Sequence, residues 1–105
     1  MRVYLQRAAK KELKKISRGN RDAARQIELF LAELGTVPDP RRLPNAKKLK
    51  GIKDGWRFRV GEYRIETRII KGKDGREFAD VTQIADDEEF VDVHKIGPRQ
   101  NAYTK

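Results

Sequence analysis

Cysteine is absent from this chain, and histidine, methionine and tryptophan occur once each. Without a thiol there is no disulfide framework and no thiolate metal site. A single histidine argues against a zinc site, so no metal or cofactor is expected. Long apolar runs are missing too, and no stretch approaches the roughly 18 residues that a membrane helix needs. The first residues carry Arg7, Lys10 and Lys11 in place of a signal-peptide apolar core. The expected location is cytoplasmic, with no membrane partner. Prolines are few and lie mostly together, as Pro38, Pro40 and Pro44.

Charge is what the chain has in abundance. Its 105 residues carry a net charge of +9, and one domain spanning 1–105 with one modest core is expected. Such a balance favours a polyanionic partner: nucleic acid first, an acidic protein second, an anionic membrane third. The charge is concentrated. Between Arg41 and Arg64 stand Arg41, Arg42, Lys47, Lys48, Lys50, Lys53, Arg57, Arg59 and Arg64, against only Asp54 and Glu62.

The centre of that stretch, Trp56 to Thr67, alternates large apolar and charged residues on both sides of Gly61-Glu62. Period-two alternation predicts half-buried strands, and Gly-X suits a two-residue type II′ hairpin turn. The register then follows: Val60 faces Tyr63, Arg59 faces Arg64, Phe58 faces Ile65, Arg57 faces Glu66 and Trp56 faces Thr67. Trp56, Phe58, Val60, Tyr63 and Ile65 make a core face, while Arg57, Arg59, Arg64 and Glu66 make the other. Two arginines opposed on a sheet cost about 0.2–1 kcal/mol. An anion held between guanidinium groups would give that strain a use. The plainer alternative is a solvated basic face. If repulsion dominates, Arg64→Ala removes activity without loss of stability.

Elsewhere Arg2–Leu5 reads as a short strand and Arg7–Ile16 as a helix with Ala9, Leu13 and Ile16 inward. Gly19 suits a left-handed helix end, and Asn20 a cap for a second helix, Arg21–Leu34. That helix turns Ala23, Ile27, Phe30, Leu31 and Leu34 inward, and Gly35 ends it. Thr36–Gly55 shows no period, with Leu43, Leu49 and Ile52 as pins. Gly72-Lys73-Asp74-Gly75 reads as a turn. Glu77–Ile84 is echoed by Glu89–Ile96; both read as strands around an acidic bend at Asp86-Asp87-Glu88. The fold class is α+β. A short N-terminal strand and an antiparallel helix hairpin pack on a twisted, mainly antiparallel sheet of four to five strands.

Three pieces in this order, Leu49-Lys50-Gly51, then Trp56 to Ile65, then Ile96-Gly97-Pro98-Arg99 with Tyr103 behind, resemble the RelE/ParE superfamily of toxins. The resemblance covers most of the chain, and its central motif is fairly specific. It implies the toxin of a type II toxin–antitoxin pair with a cognate antitoxin as partner. RelE-like members enter the ribosome and cleave mRNA without a metal. The ribose 2′-hydroxyl attacks the adjacent phosphate and leaves a 2′,3′-cyclic phosphate. By motif position, the residues this implies are Arg57, Arg59, Arg64, Arg99 and Tyr103.

That chemistry suits a basic face. RNA brings its own nucleophile, so the protein supplies positioning, charge stabilisation and proton transfer. Arg59 and Arg64 can hold the phosphate, Arg99 can face the leaving oxygen, and Tyr103 can stack on a base. Lys47, Lys48, Lys50 and Lys53 extend an RNA-binding surface. RelE-like members often carry lysines where this chain has Arg57 and Arg59, and arginine does not readily give up its proton. The base is therefore open between His94 and Glu66. For His94 a structural strand position competes with a catalytic one, and Glu66 is expected to pair with Arg57. Two further readings stay open: a ParE-like inhibitor of DNA gyrase that cuts nothing, and an inactive basic binding module.

Overall fold

The computed structural model describes residues 1–76 and 83–99. In chain order these form β1 (Arg2–Leu5), α1 (Arg7–Gly19), α2 (Arg21–Leu34), β2 (Ala46–Lys48), β3 (Gly55–Val60), β4 (Tyr63–Lys71), the single-turn helix α3 (Gly72–Gly75) and β5 (Glu89–Pro98). The strands make one five-stranded sheet in the order β1-β5-β4-β3-β2. Only β1–β5 is parallel; the other pairings are antiparallel.

The α1–α2 hairpin covers one face of this sheet. Ala9, Ile27, Phe30 and Leu34 from the helices share a core with Phe58, Ile65, Ile69, Val91, Val93 and Ile96 from the strands. The Phe30 and Phe58 rings meet at 5.4 Å between centroids. Burying such side chains is worth roughly 1.5–3 kcal/mol each, which binds the helices to this face. Leu13, Ile16, Trp56, Val60 and Tyr63 pack around the edge of the core. A smaller cluster of Ile70, Ile84 and Phe90, with Tyr4 against it, forms apart from it.

The β3–β4 hairpin has the predicted register at every pair, including Arg59 opposite Arg64. Gly61 takes φ 58° while Glu62 stays out of the positive region, as a type II′ turn requires. Helix α2 has the predicted bounds.

Several local expectations need correction. Gly19 does not adopt a positive φ; it is the last residue of α1. Asn20, extended at φ −154°, reverses the chain alone. Its N–H donates to the Ile16 carbonyl at 2.7 Å, and its Oδ1 accepts from the Ala23 N–H at 3.1 Å. Thr36–Gly55 is not structureless. Pro40–Arg42 makes a 3-10 turn and Ala46–Lys48 makes β2. Three residues are too short to show a period, and β2 exists because β3 offers an edge to pair with. Gly72–Gly75 is a helical turn instead of an open one. The second copy of the echo is strand β5; the first, but for Gln83 and Ile84, lies outside the described residues.

Candidate functional site

The face opposite the helices carries the charge, and the sheet register sets its layout. One row across the strands runs Lys47, Arg57, Glu66, Lys95. The next runs Arg59, Arg64, Gly97, and a third places Arg68 opposite Asp92. Glu66 therefore sits among basic residues, with Arg57 and Lys95 beside it and Arg64 and Arg68 two positions away along β4.

Glu66 is mostly buried, its side chain 16% exposed, and its Oε2 lies 3.1 Å from Arg64 Nε. The approach is close but not a well-aligned hydrogen bond, since Arg64 Nε is buried without an acceptor in line. The opposed pair Arg59–Arg64 is thus present, but Arg64 has a carboxylate beside it. Glu66 was expected to pair with Arg57; the two are opposite each other in register, and the Glu66 carboxylate lies beside Arg64. Arg57 Nη1 donates to the Asn45 carbonyl at 3.3 Å. Asn45 Nδ2 donates to the Arg59 carbonyl at 2.9 Å. Asn45, which has no motif to mark it, thereby ties the loop before β2 to the arginine strand.

His94 reaches this site through an irregularity. Glu66 pairs with Lys95 but Thr67 pairs with Val93, so His94 is an extra residue on β5. Strict alternation from buried Ile96 would turn position 94 into the core. The bulge turns it outward with Lys95, and bulges often re-aim a side chain in this way. His94 Nε2 then lies 4.0 Å from Glu66 Oε1, and His94 Nδ1 is buried without a hydrogen-bond partner among the described residues. Burial holds the imidazole pKa below its ordinary value, with Glu66 opposing that shift and Arg68 and Lys95 adding to it. Beside it Asp92 is fully buried. Its Oδ2 accepts from Gln6 Nε2 at 2.9 Å, while Oδ1 has no hydrogen-bond partner among the described residues. Burial raises the Asp92 pKa to about 6, against the opposing effects of Gln6 and Arg68.

Arg99 lies at the hairpin turn. Its N–H continues the ladder to the Glu62 carbonyl at 2.9 Å, and Nη1 donates to the Gly61 carbonyl at 3.2 Å. Tyr103 lies outside the described residues. The four lysines divide: Lys47 joins the row of Arg57, whereas Lys48, Lys50 and Lys53 rim an open hollow of about 650 Å³ with Leu49 and Ile52. Part of the basic stretch is neutralised within the chain. Arg41 donates twice to Glu89, at 3.1 and 2.8 Å, and these bonds hold the Glu89 pKa below its ordinary value. The acidic bend contributes Asp86 to an ion pair with Arg76.

Arg57, Arg59, Arg64, Glu66, His94 and Lys47 thus share one face. Arg68, Asp92, Asn45 and Lys95 belong with them and carry no sequence signal of their own, while Gly97 was marked only as part of the Ile96-Gly97-Pro98-Arg99 motif. Position on β4 two residues beyond Glu66 was the one available hint for Arg68. Among the described residues, no group of three or more His, Cys, Asp or Glu side chains could hold a metal ion. Nor is any helix among them long and apolar enough to cross a membrane.

This fold is similar to that of a solved YoeB/ParE toxin from Agrobacterium tumefaciens. The two share 15% identity with a TM-score of 0.64, over 94% of this chain and 99% of that one. Residues 3–103 match the family described as the ParE toxin of the type II toxin–antitoxin system, parDE, and the chain belongs to that family. It is a RelE/ParE superfamily toxin, and such a toxin has a cognate antitoxin. No curated protein matches it significantly.

Proposed function

We propose that this toxin is a metal-independent endoribonuclease that cuts mRNA engaged on the ribosome in the cytoplasm. The observation that carries the reading is the meeting of Arg59 and Arg64 with Glu66 and His94 on one sheet face. Two facing guanidinium groups offer a phosphodiester more donors than its oxygens can use, in a geometry that suits them. A depressed imidazole pKa keeps His94 neutral near pH 7, in the form that can accept a proton.

In the reaction the RNA 2′-oxygen forms a bond to the adjacent phosphorus as its proton passes to His94. The bond from phosphorus to the 5′-oxygen breaks, and that oxygen takes a proton from solvent. A 2′,3′-cyclic phosphate and a 5′-hydroxyl result. Arg59 and Arg64 bear the added charge on the phosphoryl oxygens, where fixed donors act most strongly. Glu66, 4.0 Å from Nε2, stabilises the protonated imidazole by its charge. Arg57, Lys47 and Arg68 guide the strand. Arg99 takes the leaving-oxygen side, and Tyr103 stacks on a base.

Two observations favour a second reading, a gyrase inhibitor that cuts nothing. The matched family bears the ParE description, and Arg64 already has an internal carboxylate. Controlled expression with primer extension on cellular transcripts separates the two. Cuts within ribosome-engaged codons support the nuclease. An SOS response without cuts supports the inhibitor and overturns the nuclease.

A further inference from the structure

Gly97 interrupts the basic face where a side chain would be expected. It lies within β5, in register with Arg64. By the two-residue period it shares a face with Lys95 before it and Arg99 after it. Glycine inside a strand weakens it, so its presence needs a cause. Backbone conformation does not supply one, because Gly97 is not at positive φ. Packing does not supply one either, because an added Cβ would meet nothing within 4 Å among the described residues. The following Pro98 asks only for extended backbone at position 97, which any residue adopts. The described residues thus give no packing reason for this glycine, and the bare backbone leaves room for close approach of a ligand to the strand.

We propose that Gly97 keeps open a notch for one ribonucleotide of the substrate. The sugar and base of the nucleotide whose phosphate Arg59 and Arg64 hold lie over the bare backbone there, flanked by Lys95 and Arg99. This rests on the RNA-cleaving reading above and adds to it a steric determinant of substrate fit. A side chain at 97 stands in the nucleotide's place. It displaces the phosphate from the arginines and the 2′-hydroxyl from His94. Misplacement by about 1 Å is enough to cost about 100-fold in rate.

The sign of the stability change sets this apart from a folding effect. In a strand with open space, Ala or Val in place of Gly restricts the unfolded chain and suits the pleated backbone. Gly97→Ala and Gly97→Val should therefore melt at or above the parent temperature. Cutting on cellular transcripts should fall by about 100-fold in Gly97→Val, with Gly97→Ala in between. Gly19→Ala is the control, since a Cβ at Gly19 also meets nothing within 4 Å but lies at the end of α1. It should cut like the parent.

If Gly97→Val cuts like the parent while Arg64→Ala does not, the notch is wrong and the nuclease reading stands. If Gly97→Ala melts well below the parent, the glycine is structural and the notch is wrong. If the parent itself cuts no RNA, both readings fall together.

Discussion

Replacing Glu66 with Gln should make the toxin less stable and a tighter binder of RNA. The side chain lies 3.1 Å from Arg64 Nε, with the two side chains only 16% and 23% exposed. Removing its charge leaves a half-buried guanidinium without its carboxylate, at a cost of about 1–2 kcal/mol. For a domain of this size that is about 5 °C of melting temperature per kcal/mol. Binding moves the other way. Take a phosphate resting over the arginines at about 6 Å from the carboxylate. Repulsion at that distance is about 0.7 kcal/mol at the dielectric of water and about 2.8 kcal/mol at an effective value of 20. Glu66→Gln should therefore raise affinity for a short single-stranded RNA by about 3-fold to 100-fold. The measurement is fluorescence anisotropy at about 0.01 M salt, where the screening length is about 30 Å. An oligonucleotide with 2′-deoxy sugars at the cutting positions keeps binding separate from cleavage. Cleavage itself should fall, because His94 loses the carboxylate whose charge stabilises its protonated form. Unchanged or weaker binding by a folded Glu66→Gln protein would refute the placing of RNA phosphate on this face.

Arg64→Ala should abolish cutting and lower stability by about 1 kcal/mol, because it leaves Glu66 with one guanidinium fewer. This reverses the sign expected from repulsion alone, and a melting temperature above the parent's would show that repulsion governs after all. Stability should also respond to pH through two buried groups with opposite trends. The Asp92 pKa is raised from 3.8 to about 6. Its contribution is therefore full below the unfolded value and is lost as pH rises from about 4 to 6. The His94 pKa is lowered from 6.5, so its contribution is full above that value and is lost as pH falls below it. Melting curves should show Asp92→Asn gaining on the parent as pH rises from about 4 to 7. His94→Gln should gain as pH falls over the same range. Parallel curves for parent and variants would show that neither group is perturbed.

Alternation of apolar and charged residues around Gly61-Glu62 was enough to determine the hairpin, its register and the facing arginines. A two-residue turn leaves one way to pair the strands, and one apolar side leaves one way to face them. Helical spacing determined α2 from Arg21 to Leu34 in the same manner, with Asn20 and Gly35 as local stops. The family was legible as well, because motif order survives in the linear chain. Tertiary structure alone decided what surrounds the arginines. Strand β2 forms only because β3 has a free edge, so the row from Lys47 to Arg57 has no local cause. His94 joins Glu66 only through a bulge relative to β4, which the period of β5 alone would contradict. Among the described residues, the openness at Gly97 and the lack of a partner for Asp92 Oδ1 depend on neighbours distant in sequence. Local pattern records which residues alternate, whereas charge pairing and empty space depend on what the rest of the fold places beside them.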